Sequence, residues 1–176
     1  MTKYLLIALV ILMVISPLLW LRQTPGQARI TAFRNRALQL GLKVQMVPAA
    51  DADPADRQPD GVRYLKPLVP DPRGIMPVVA CHWTLLRGER RGRESPFPGW
   101  RWFRDPAPAA LEPAIARCLG RLPSSVSALR VDAQGLSAYW PETGTVAEVG
   151  QLAEALEGLF PDVAPGLGLA GPDALR

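Results

Sequence analysis

The residues of this 176-residue chain whose types could do chemistry are one histidine, two cysteines and a few isolated carboxylates. His82 stands between Cys81 and Trp83 in a strand-like stretch. Alternation along a strand puts Cys81 and His82 on opposite faces, a poor arrangement for a thiol nucleophile and its base. Cys81 and Cys118 fit no metal-ligand spacing, and one histidine with two distant cysteines lacks a fourth zinc ligand. They read as free, partly buried thiols. Glu142, which follows Trp140-Pro141, and Glu148 have no second carboxylate at a spacing suited to acid–base work. Neither a phosphate-cradling P-loop nor a dinucleotide glycine fingerprint occurs. The residue pattern therefore predicts no catalytic residue, no metal, no cofactor and no small-molecule substrate. A small membrane-anchored enzyme using the His82 strand is kept as an alternative.

A second group of residues could bind rather than catalyse. Arg87 to Arg93, RGERRGR, is a basic glycine-containing loop, and Ser95 to Asp105 packs Phe97, Trp100, Trp102 and Phe103 between prolines. Basic residues interleaved with aromatic rings can serve a nucleic-acid surface. The same residues serve as a solvated loop beside a tryptophan cluster that closes a core, and nucleic acid is not expected as a partner. Because Trp and Arg dominate interface hot spots, a protein-binding patch over Arg90, Arg91, Trp100, Arg101 and Trp102 is the expectation.

The element that would position such a patch is the apolar run Tyr4 to Leu21, YLLIALVILMVISPLLWL, which carries no charge. At about 1.5 Å per residue it reaches roughly 27 Å, close to a hydrocarbon core of about 30 Å, so it predicts a transmembrane helix kinked near Pro17. Tyr4 and Trp20 would lie at the headgroups, joined at the membrane interface by Arg22 and Arg29. A cleaved signal peptide is the rival, with Gly26 and Ala28 imitating a cleavage site. Trp20, Leu21 and Arg22 before that site, and the length of the run, speak against it. Arg22, Arg29, Arg34, Arg36 and Lys43 outnumber Lys3, so the positive-inside rule predicts a cytoplasmic body and a bacterial inner-membrane location. The net charge of +4 suits a chain lying against anionic lipid.

Beyond the anchor (residues 1–23), Thr24-Pro25-Gly26-Gln27 predicts a capped juxtamembrane amphipathic helix over 24–41, stopped by Gly41. A small α+β domain over 42–160 is expected, with two β-hairpins and two helices, followed by a disordered tail at 161–176. The 19 prolines and 15 glycines predict short elements and many turns. Gly61 to Val69 reads as a strand with Val62, Tyr64 and Leu68 inward, and Pro77 to Leu86 as its hairpin partner. Glu112 to Leu119 reads as a short helix. Strands over 125–131 and 135–140 flank Asp132-Ala133-Gln134-Gly135 as the second hairpin. Thr145 and Glu148 form a capping box opening a helix to about Leu159.

The opening MTKYLLIALVILMVISPLLWLR, then RITAFRNRALQLGLKVQMVP, resembles short single-pass proteins of gamma-proteobacteria filed as YajC-like preprotein translocase subunits. PGWRW and SAYWPE further along add to the likeness. The resemblance covers about the first 48 residues in arrangement. It implies one early anchor, a small cytoplasmic β-rich body and association with the translocon. The family's Gly-Gly-rich β motif has no counterpart, so topology carries over and no functional residue does. Together these readings predict an inner-membrane accessory or scaffold protein, in contact with the lipid bilayer, whose domain binds a protein partner. A periplasm-facing envelope assembly factor is the alternative.

Overall fold

Pro25, with its fixed φ and missing N–H, opens helix α1 (Pro25–Gln39), where the first turn needs no internal donor. Gly41 closes it at φ +75°, a backbone conformation that side-chain-bearing residues avoid, and the Leu42 N–H returns to the Ala37 carbonyl at 2.9 Å. These features belong to a computed structural model that describes residues 3–4, 25–52, 61–68, 82–88 and 91–164. The chain divides into two compact units, residues 1–32 and 33–176, and α1 runs across the division. In the first unit the Thr31 hydroxyl donates to the Gln27 carbonyl at 2.9 Å.

The second unit is built on one antiparallel sheet. Its strands are β1 (Lys43–Val47), β2 (Gly61–Pro67), β3 (Trp83–Arg87), β4 (Arg93–Glu94), β5 (Trp100–Trp102), β6 (Ala128–Asp132) and β7 (Gly135–Tyr139), in the order β1-β2-β7-β6-β3-β5-β4. The β6–β7 hairpin, last in sequence, thus fills the centre between β2 and β3. Its turn is held by the Gln134 N–H bonding Asp132 Oδ1 at 2.9 Å. Gly135 is required there, since a Cβ would sit 2.2 Å from the Lys66 carbonyl.

Period-two alternation sorts the sheet into two faces. One carries Tyr64, Leu85, Leu129, Leu136 and Trp140 into the main core. Helices α2 (Glu112–Leu119) and α3 (Val146–Val163) cover that side, α3 lying on β7 and β2 with α2 against it. Val149, Leu152, Leu156, Leu159 and Val163 form the buried stripe of α3 at helical spacing. The other face carries a small cluster of Leu86, Ala128 and Tyr139, with Val47, Ala50 and Phe103 packed on it.

Three expectations are corrected. The first is the transmembrane helix: no helix among the described residues is long and apolar enough to cross a membrane. α1 has 15 residues and includes Arg29, Arg34 and Arg36, while the 18 residues of α3 include four carboxylates, each costly in hydrocarbon. The run from Leu5 to Leu21 lies outside the described residues, and so do Trp20 and Arg22; Tyr4 and Arg29 are exposed. The second is the fold of two separate hairpins. Among the described residues a single seven-stranded sheet with three α-helices replaces it, because β3 pairs with β6 and β5 instead of with β2. The third is the end of the last helix, which passes through Pro161 to bury Val163. Residues 165–176 are not among those described.

Candidate binding groove

A concavity in the sheet unit opens where β1, β2 and β7 meet the end of β3. It encloses about 880 Å³ and is lined by the Leu86, Ala128 and Tyr139 cluster together with Ala50, Asp51 and Arg91. Each wall has a local cause. Val47 and Pro48 lead β1 into a turn in which the Ala52 N–H bonds the Ala49 carbonyl at 3.0 Å, and this turn presents Asp51. Across the opening, Arg91 Nη1 donates to the Asp51 carbonyl at 3.0 Å and to its carboxylate at 3.4 Å. Both side chains are well exposed, so this contact is worth a few tenths of a kcal/mol and can be exchanged for a ligand at little cost.

From the floor of the groove a polar strip continues across the face on which no helix packs among the described residues. The Tyr139 hydroxyl accepts from Arg130 Nη1 at 3.3 Å, and Arg130 Nε lies 3.4 Å from Asp132 Oδ2. Arg63 Nη2 reaches both Asp132 oxygens at 2.9 and 2.8 Å, and its Nη1 donates to Gln134 Oε1 at 3.2 Å. Arg63 is buried, with its Nε unpaired. Asp132 and Gln134 take up the Nη donors of Arg63, so this network stiffens the sheet face, and half-buried Arg130 is the cation that reaches the groove floor at Tyr139.

A second charged cluster faces the helices and is closed. Arg34 Nε and Nη2 donate to Glu142 Oε1 and Oε2 at 2.9 and 3.0 Å, and the Tyr64 hydroxyl donates to Oε1 at 3.0 Å. The hydrogen bonds to Glu142 hold the Arg34 guanidinium above its ordinary pKa. Burial, with the adjacent Glu142 charge, pushes the Tyr64 phenol up. Glu142 is 5% exposed and takes φ +57°, a strained conformation maintained by this three-way contact. Within the sheet unit it ties Arg34 to β2 and to the residues after β7.

The residues expected from sequence to bind a partner divide sharply. Trp100 and Trp102 are 7% and 5% exposed and belong to the main core, Trp102 making edge contacts with Trp83 and Phe97 at 5.9 Å. Arg101 is half-buried, its Nε bonded to the Gly92 carbonyl at 3.0 Å. Arg91 lines the groove, and Arg90 lies outside the described residues. Arg87 stacks its guanidinium 4.7 Å over the Trp100 ring, and burial lowers its pKa. His82 is exposed just before β3, and Cys81 lies outside the described residues. Cys118 is buried in α2, its thiol pushed up to about 12 by desolvation. Among the described residues no three His, Cys, Asp or Glu side chains gather as a metal set.

Sequence reasoning missed Tyr139, Arg130, Arg63 and Asp132. In the sequence Asp132 reads as a turn residue, and nothing local shows that Arg63, 69 residues away, finds it. No family model, no curated protein and no solved structure matches this chain.

Proposed function

We propose that the sheet unit is a protein-binding module whose contact surface is the groove on the helix-free face. One observation carries this reading: the helices cover one face of the sheet, and the other holds an open cleft with an apolar floor and oriented polar groups beside it. That combination of concavity, apolar base and few convergent polar groups is the usual make-up of a binding site. Arg91, exposed at the rim, is a residue type that anchors protein interfaces, and Tyr139, 4% exposed, forms part of the floor. The buried tryptophans Trp100 and Trp102 act one step back, holding β5 and the loop that carries Arg91 in place. The occupant is a peptide segment of a partner protein, with an apolar side chain on Leu86 and Tyr139 and a polar group against Arg91.

A photo-crosslinking residue at Ser127, which is exposed at the groove, is the test. In cells it should give a discrete adduct with one partner, and the same residue at Glu154 on the outer side of α3 should not. The Arg91→Glu exchange should reduce the Ser127 adduct severalfold without lowering the melting temperature. Equal labelling from both positions, or none from Ser127, would overturn the proposal.

A further inference from the structure

The two edges of the sheet are built differently. β4 is a two-residue edge with a charge at each position, Arg93 and Glu94, and such short charged edges resist pairing. β1 has five residues, no proline and one charge, Lys43, and its Met46 is 59% exposed. Among the described residues nothing pairs with its outer side.

Register determines which backbone groups that outer side offers. The Trp140 N–H bonds the Val62 carbonyl and the Leu68 N–H bonds the Gln134 carbonyl, so the even-numbered residues of β2 face β7. In an antiparallel ladder the odd-numbered ones then face β1, and Lys43, Gln45 and Val47 answer them opposite Leu65, Arg63 and Gly61. Val44 and Met46 therefore turn their N–H and C=O groups outward. The free stretch has natural ends: the Leu42 N–H is taken by Ala37, and Pro48 has none.

From this geometry we infer that β1 pairs with β1 of a second copy of the chain, antiparallel about a twofold axis through Gln45. That register sets Val44 against Met46 of the other copy, twice, and each pair exchanges two hydrogen bonds. Side chains agree with it. Val44 and Met46 are on the helix side in both copies, so the exposed methionine gains an apolar cross-strand neighbour. Lys43 faces Val47, and the two lysines lie roughly 13 Å apart along the strand, beyond the Debye length in physiological salt. Leu42 meets Pro48 where the pairing stops, and neither needs a donor. Because the axis is perpendicular to the sheet, the dimer has one continuous fourteen-stranded sheet with both grooves on one side. A bivalent partner would engage both at a raised effective concentration.

The test uses the full chain and its register. Sedimentation over a concentration series should give twice the chain's mass at tens of micromolar. Met46→Pro removes only an outward donor, so it should weaken dimerisation at least tenfold while the circular dichroism stays that of the wild type. Gln45→Pro, which removes a bond to β2, should unfold the edge. Should Met46→Pro itself misfold, Gln45→Cys in a Cys81→Ser background decides the matter. Residues at position 45 form the close, non-hydrogen-bonded pair, so an oxidant should link 45 to 45, and Lys43→Cys should stay unlinked. A chain that is monomeric throughout, a dimer unchanged by Met46→Pro, or linkage at 43 in place of 45 would overturn the inference.

Discussion

The two faces of the sheet solve the same problem, burying an arginine–carboxylate pair, in opposite ways. On the helix-covered face Glu142 is the buried member and Arg34 is the exposed one, with 37% of its side chain open to water. On the helix-free face the guanidinium of Arg63 is the more buried member, 6% against 15% for Asp132. A half-exposed guanidinium keeps much of its hydration when its partner goes, whereas a buried one is stranded. The covered face is thus organised by apolar packing with one polar pin, and the open face by a charged network round a small apolar cluster. If this face takes the proposed peptide, the network holds it rigid without filling it.

Neighbouring leucines on β3 give the sharpest way to break this comparison. Leu85 points into the main core and is fully buried, and Leu86 belongs to the small cluster. Leu85→Ala should cost about 3–4 kcal/mol, since a close-packed core cannot collapse onto the cavity. Leu86→Ala should cost about 1–2 kcal/mol, because its site borders an open groove. Urea denaturation of both variants measures the difference. Equal costs would mean that the open face is as tightly packed as the covered one.

The ion pairs come next. Asp132→Asn should destabilise by about 3 kcal/mol by leaving the Arg63 charge buried without a carboxylate. Glu142→Gln should cost about 1–2 kcal/mol, as Arg34 reaches solvent and the Tyr64 hydroxyl still finds an amide oxygen. Chemical denaturation at low and at moderate salt would check the order. If Glu142→Gln proves the more damaging, the strained backbone at that position is held by the charge itself rather than by its surroundings.

Local pattern made some of this legible. Helix α2 at Glu112–Leu119, the inward set Val62, Tyr64 and Leu68, and the turn at Asp132–Gly135 were each visible because one stretch of sequence carries the whole signal. Strand partners were not visible. β3 looked like the hairpin mate of β2, yet the β6–β7 hairpin inserts between them, and that order is decided by packing across the sheet. The Trp100 and Trp102 pair shows why the site was harder still. An aromatic next to an arginine reads the same whether it lies at an interface or seals a core, and only burial separates the two. Glu142 looked isolated because its partner Arg34 is 108 residues away.

Alkaline pH gives the smallest and most selective probe, since the raised acids both lie on the covered side. Ordinary thiols titrate near about 8.5 and phenols near about 10. Burial pushes the Cys118 thiol up to about 12, and burial with Glu142 raises the Tyr64 phenol. Above about pH 9 the folded chain therefore keeps protons that the unfolded chain releases, so stability is complete below that pH and falls as pH rises. For one such group the slope approaches roughly 1.4 kcal/mol per pH unit. Urea midpoints at pH 8, 9, 10 and 11 should fall progressively. Cys118→Ala should flatten the first part of the decline, and Tyr64→Phe the part above about pH 10. A wild-type midpoint that holds to pH 11 would show that water reaches these groups and that the helices cover this face less tightly than the packing of Leu152, Leu156 and Leu159 implies.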